Sequence, residues 1–144
     1  MNWRAYFLGM AGYVSIKSKD PSTHVGAVAV GPDNEILEVA FNGLPRRVED
    51  RPERMERPAK YLWTAHAEEN LVATAARSRL KGSTVYVTHL CCNACARMMI
   101  NAGVAVVVIG NEETHMPQEL FDVALTMFRE AGVIVEREDD NEFL

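Results

Sequence analysis

An α/β layered sandwich is the fold this sequence predicts, and three observations predict it. Apolar runs of strand length ("VGAVAV", "EILEVAF", "VYVTHL", "VAVVVIG") alternate with stretches of helical composition. Helix boundaries fall where that alternation needs them, with Pro117 at one start and Gly103 and Gly132 after two ends. "VAVVVIG" is apolar at every position before its glycine, as in a strand covered on both faces. Strands interleaved with helices pack as layers, and strand-turn-helix units place a site near strand ends and helix starts. The 144 residues, 48% hydrophobic and 24% charged, read as one domain, 1–144, with core enough to need no disulfide staples.

The opening "MNWRAYFLGMAGYV" reads as a helix over about residues 2 to 17, with Trp3, Phe7, Met10 and Val14 on one core-facing side. It lacks the basic start and small-x-small cleavage site of a signal peptide. "SKDPSTH" is a loop around Pro21, and "GPDN" turns "VGAVAV" into "EILEVAF" as a hairpin. The segment from Asn42 to Lys60 holds Pro45, Pro52 and Pro58, and its 19 residues exceed what a compact domain carries without a use. "TAHAEENLVATAARSR" contains no Gly or Pro and reads as one helix with Thr64 as its N-cap. "KGSTVYVTHL" turns into a strand, and "NACARMMINAG" is a helix stopped by Gly103. "PQELFDVALTMFREAG" is a helix running from Pro117 to Gly132, and "VIVE" is an edge strand.

No apolar stretch approaches the about 20 residues that cross a membrane, and a cytoplasmic setting is expected. The formal charge of -5 and the acidic tail from Glu136 to Glu142, read as a solvated terminus, argue against a broad nucleic-acid surface. One local cluster, "LPRRVEDRPERMERPAK", interleaves six arginines and lysines with acids. It reads either as a solvated loop or as a segment that binds a phosphorylated small molecule.

All three cysteines, Cys91, Cys92 and Cys95, fall within five positions, which is metal or redox chemistry and not a disulfide framework. Cys92-x-x-Cys95 sits where a strand turns into a helix, and 26 residues earlier His66-Ala67-Glu68 opens the preceding helix. One imidazole and two thiolates suit tetrahedral zinc with its fourth position open, the catalytic pattern. Helix N-termini stabilise the thiolates. Glu68 cannot share the His66 face of a regular helix, but in a first turn it can point across the metal as a proton shuttle. Cys-x-x-Cys between strand and helix is also the arrangement of a thiol-disulfide protein, a reading that leaves His66 and Glu68 idle. A closed structural zinc site would need a fourth ligand, and Cys91 is sterically awkward beside Cys92.

"HAE" followed by "CNAC" resembles the zinc-dependent cytidine and deoxycytidylate deaminase family, whose signature is H-x-E then P-C-x-x-C. "SKDPSTHVGAVAV" and "FNGLPRRVED…ERPAKY…HAEEN" resemble its deoxycytidylate branch, so the likeness covers most of residues 15 to 108. The resemblance implies a cytidine-deaminase-like three-layer α/β/α sandwich with a mixed central sheet of about five strands. It implies one catalytic Zn2+ on His66, Cys92 and Cys95, with Glu68 as acid and base in the hydrolysis of dCMP to dUMP and ammonia. It places a base pocket at Val25, Gly26, Ala27 and Ala67 and a sugar contact at Asn42, whose "NG" also reads as a turn. A homo-oligomer (trimer or hexamer) and regulation by dCTP and dTTP with Mg2+ are further implications. Arg46, Arg47 and Asp50 are then effector or phosphate contacts, on a loop whose plain reading is solvated salt bridges.

Two departures stand out. Cys91 replaces the family's proline, and "GNEETHMPQEL" replaces a tyrosine- and arginine-containing segment that helps relatives hold the nucleotide. They motivate an alternative substrate, a 5-methyl or 5-hydroxymethyl dCMP. A tRNA adenosine deaminase shares the metal motif, but the acidic balance and the cytidylate-like flanks weigh against it. Cys91 is expected as a small half-buried thiol, His24 as a surface group, and His89 as a strand-end histidine satisfied by backbone. His115 is expected in a loop bordering the pocket.

Overall fold

The computed structural model describes residues 1–139. The chain opens with helix α1 (Trp3–Ser15), whose N-cap Asn2 accepts a hydrogen bond from the Ala5 amide at 2.8 Å. Strands β1 (Gly26–Val30) and β2 (Ile36–Phe41) form the expected antiparallel hairpin. The proline-rich segment contributes a short 3-10 turn (Pro52–Met55) and leads into α2 (Lys60–Trp63). Then follow α3 (Ala67–Ala75), α4 (Arg77–Leu80), β3 (Thr84–His89), α5 (Asn93–Asn101), β4 (Val106–Glu112), α6 (Gln118–Ala131) and β5 (Ile134–Arg137).

The five strands lie in the order β2-β1-β3-β4-β5. β1 pairs antiparallel with both β2 and β3, while β3-β4 and β4-β5 are parallel, so the sheet is mixed. Alternation along each strand sends residues to two cores. Val28, Val30, Tyr86 and Val108 meet Phe7, Leu8 and Ala11 of α1 on one face. Ala27, Ala29, Val85, Val87, Val107 and Ile109 meet α3, α5 and α6 on the other, through Leu71, Met99 and Phe128. The architecture is therefore the expected three-layer sandwich.

Three expectations need correction. The core-facing side of α1 is Phe7, Leu8 and Ala11; Trp3 is 57% exposed, stacked on Phe7 from outside, and Met10 and Val14 are half-buried. The helix approaches the sheet through its small residues: a Cβ built on Gly26 would stand 1.9 Å from the Ala11 carbonyl oxygen. That closeness leaves no room for a larger side chain where Ala11 meets the sheet, while Phe7 and Leu8 pack against Tyr86, Val28 and Val108 beside it. The single helix expected from Thr64 onward is in fact divided. Thr64 closes α2, with its amide and hydroxyl both on the Lys60 carbonyl, and His66 is the N-cap of α3. Ala76, at φ 69 and ψ 152, separates α3 from α4. The acidic tail begins inside the fold, since Glu136 lies in β5 and pairs with Arg4 at 2.9 Å; residues 140–142 lie outside the described residues.

Candidate metal centre and substrate cleft

β2 and β3 run in the same direction on either side of β1 and carry the chain to the same end of the sheet, and α3 and α5 are the helices that follow them there. His66 caps α3 in extended conformation, and its amide donates to the Glu69 carboxylate at 3.2 Å. Cys92 caps α5, and Cys95 lies buried in that helix's first turn. The imidazole Nδ1 is 3.2 Å from Cys95 Sγ and 3.5 Å from Cys92 Sγ, and all three ligand atoms lie within 4.8 Å of one another. Zinc bonds of about 2.0 Å to nitrogen and 2.3 Å to sulfur give a tetrahedral N···S edge of about 3.6 Å, so the donor set and its spacing fit that ion. Hydrogen bonding from Cys95, reinforced by His66 and opposed by burial, draws the Cys92 thiol down to about 4. The same Cys92 contact, together with burial, pushes Cys95 up, and it lifts His66 to about 9 against the pull of burial.

Glu68, one residue into α3 past Ala67, is 4% exposed. Burial pushes its carboxyl up to about 7, with His66 pulling the other way. It opens, with His66 and Cys92, onto a cleft also lined by Val25, Asn42 and Lys60. A carboxyl poised near neutrality beside a metal-ligand set can accept a proton and return it.

The remaining predicted residues divide. Val25 and Asn42 line the cleft. Asn42 Oδ1 accepts from the Val25 amide at 2.9 Å and Nδ2 donates to the Thr23 carbonyl at 3.0 Å, so its side chain braces the loop that forms one wall. Gly26 and Ala27 do not line it. Gly26 is taken up by α1, its amide donating to Thr88 Oγ1 at 3.2 Å, and Ala27 is wholly buried beneath the cleft in the larger core. Ala67 is likewise fully buried at the start of α3. Arg46, Arg47 and Asp50 are exposed and stand off the cleft: Arg46 reaches Thr74 at 3.5 Å, and Asp50 pairs with Lys19 at 2.5 Å. His24 is exposed, with Nε2 on the Asp20 carbonyl. His115 lines the cleft with Thr114 and Met116.

His89 was expected to be satisfied by backbone, and it is satisfied by a side chain instead: Nδ1 lies 2.6 Å from Thr88 Oγ1. That hydroxyl also accepts from the Gly26 amide at 3.2 Å, so Thr88 links the start of β1 to the His89 ring. Burial holds the His89 imidazole below its ordinary value, which keeps it neutral.

The family model for the "Cytidine and deoxycytidylate deaminase zinc-binding region" matches residues 1–111. The chain belongs to that family. It is 42% identical over 136 residues to an uncharacterized deaminase in the luxG 3' region of Aliivibrio fischeri, covering 92% of this chain and 91% of that protein. It is 32% identical over 139 residues to the deoxycytidylate deaminase of Homo sapiens, covering 92% of this chain and 78% of that one. The dCMP deaminase of cyanophage S-TIM5, in complex with dCMP and dUMP, shares the fold with a TM-score of 0.73 at 24% identity, over 93% of this chain and 95% of that one.

In this deaminase Cys91, at the signature's proline position, is fully buried and not half-buried as expected. Burial pushes its thiol well up, and it stands outside the metal-ligand group. Sequence reasoning missed one cleft feature altogether. Lys60 is buried, with Nζ 3.1 and 2.9 Å from the two carboxylate oxygens of buried Asp20 and 3.1 Å from Ser22 Oγ. Partners 40 positions apart leave no local signal in a sequence. Among the described residues no helix is long and apolar enough to cross a membrane.

Proposed function

We propose that this chain hydrolyses dCMP to dUMP and ammonia. The observation that carries this reading is a buried carboxylate, Glu68, opening onto a cleft beside one imidazole and two thiols spaced for zinc. His66, Cys92 and Cys95 would hold zinc, which would supply the Lewis acidity that makes water nucleophilic near neutral pH. Glu68 takes a proton from the attacking water and delivers it to ring N3 as the C4–O bond forms. Glu68 then takes the proton of the new C4 hydroxyl and passes it to the exocyclic amine, so that the C4 carbonyl forms as the C4–N bond breaks and ammonia leaves. Asn42 and Val25 contact sugar and base from the opposite wall, and the start of α3 at Ala67 supports the base. Gly26 and Ala27 act from behind, as the small residues that let this wall and α1 close on the sheet. The named activity of the human relative and the cyanophage enzyme's complex with dCMP and dUMP support a deoxycytidylate substrate.

A second reading rests on the loop between β4 and α6. Its Thr114, His115 and Met116 line the cleft, and this reading makes a 5-methyl or 5-hydroxymethyl dCMP the substrate. Ammonia release by zinc-loaded protein offered dCMP, 5-methyl-dCMP, 5-hydroxymethyl-dCMP, CMP and deoxycytidine in parallel separates the two. Preference for dCMP is expected. Turnover confined to the 5-substituted nucleotides moves the assignment to the second reading, and silence on all five overturns both.

The same proposal takes residues 1–144 as one deaminase domain, assembled as a homo-oligomer (trimer or hexamer) in the cytoplasm. Three reduced cysteines fit that compartment, and the exposed Tyr61, Leu62 and Trp63 of α2 fit a covered face. dCTP and dTTP, with Mg2+, would act at Arg46, Arg47 and Asp50, away from the chemistry.

A further inference from the structure

Two basic side chains other than histidine line the cleft, Arg57 and Lys60, and they differ in what they have left to offer. Lys60 has committed its ammonium to Asp20 and Ser22, and its charge is cancelled inside the fold. His66 belongs to the metal-ligand set, and His89 is buried, hydrogen-bonded to Thr88 and neutral. Arg57 makes one hydrogen bond, from Nε to the Tyr61 hydroxyl at 2.7 Å, and among the described residues it makes no ion pair. Its two terminal nitrogens, the fork that matches a phosphate, are uncommitted.

The loop across the cleft cannot supply a substitute cation of the lysine or arginine type. Residues 112 to 117 read "EETHMP", with Glu112 and Glu113 at its start. What it brings to the lining is Thr114, His115 and Met116. The position of Arg57 is prepared. It precedes α2 directly and rests on that helix's Tyr61, while α2 is pinned to the body by the buried Lys60–Asp20 pair.

We propose that Arg57, oriented by Tyr61, is the phosphate subsite of this cleft and selects nucleoside 5'-monophosphates over nucleosides. The proposal rests on the dCMP reading above and names the residue that reads the phosphate. A bidentate guanidinium–phosphate contact is charge-assisted and geometrically specific.

The test measures dissociation constants of dUMP and deoxyuridine by calorimetry on zinc-loaded wild-type, Arg57→Gln, Arg57→Lys and Tyr61→Phe proteins, with dCMP kinetics alongside. Arg57→Gln is expected to weaken dUMP by about 10- to 100-fold and leave deoxyuridine unchanged. The kinetic loss then appears in KM for dCMP. Arg57→Lys recovers part of the binding, and Tyr61→Phe loses less than Arg57→Gln. Equal dUMP binding by Arg57→Gln and wild type overturns the assignment, as does an equal loss for dUMP and deoxyuridine. A wild-type protein that binds dUMP no better than deoxyuridine overturns it too. Wild-type protein that prefers dUMP through Arg57 yet releases no ammonia from dCMP would support the subsite and sink the proposed activity instead.

Discussion

At the scale of single residues, the site joins a part visible in the sequence to a part that is not. His66, Glu68, Cys92 and Cys95 were legible because helix N-termini impose fixed local spacing on the groups they present. Glu68→Gln keeps the size of the side chain and removes its carboxylate; turnover is expected to fall by about 100-fold or more with zinc content unchanged, as checked by steady-state kinetics and metal analysis. The Asp20–Lys60 pair was not legible, since "SKDPSTH" reads as a plain loop and Lys60 as one more charge in a basic cluster. Burial pushes the Asp20 carboxyl up, but the amides of Ser22 and Thr23 and the Lys60 ammonium more than reverse this and hold it below its ordinary value of 3.8. Asp20→Asn would leave a buried ammonium without a counter-charge, and a loss of about 3–5 kcal/mol is expected in urea unfolding at neutral pH. Because the folded carboxyl is depressed, its contribution is complete above pH 3.8 and is lost as pH falls through the lower folded value. The difference between wild type and Asp20→Asn should therefore hold down to that pH and shrink below it. A gap already closed at pH 5 would contradict the assignment.

At the scale of elements, the strands and their order of alternation with helices followed from apolar runs and turn residues. The departures arose where tertiary contact overrode local preference. α1 presents Phe7, Leu8 and Ala11 to the sheet and not Trp3, and Gly26 admits the helix backbone itself at Ala11. A stretch rich in Ala and Glu reads as one helix, yet it breaks at Ala76, which takes a positive φ that is costly for any residue with a Cβ. The break has a structural reason: α3 must end where β2 and α5 flank it, and α4 must turn its buried Leu80 back into the core before β3. Ala76 is exposed, so a glycine there gives up no buried contact. Ala76→Gly is expected to raise stability by about 1 kcal/mol, read as a higher urea midpoint with an unchanged slope. A lower midpoint would mean that the break is not strained.

At the scale of the whole molecule, an ion on the candidate ligand set would tie together parts of the chain that are far apart in sequence. His66 starts one helix behind the sheet and Cys92 and Cys95 start the next, with β3 threaded between them in sequence. An ion bound to all three ligands stabilises the folded state alone, since the unfolded chain has no such convergence. Chelation is therefore expected to remove about one zinc per chain and to lower the thermal midpoint by about 5–10 °C, restored on adding zinc back. Cys95→Ser should lower both the zinc content and the midpoint. The experiment also judges the rival that reads Cys92 and Cys95 as an exchanging dithiol. Thiolates holding an ion are unavailable for exchange, so thiol reagents should label Cys92 slowly in the zinc-loaded protein and rapidly after chelation. Rapid labelling and an unchanged midpoint in both states would favour the dithiol, and would leave the convergence of His66 on the two sulfurs without a role.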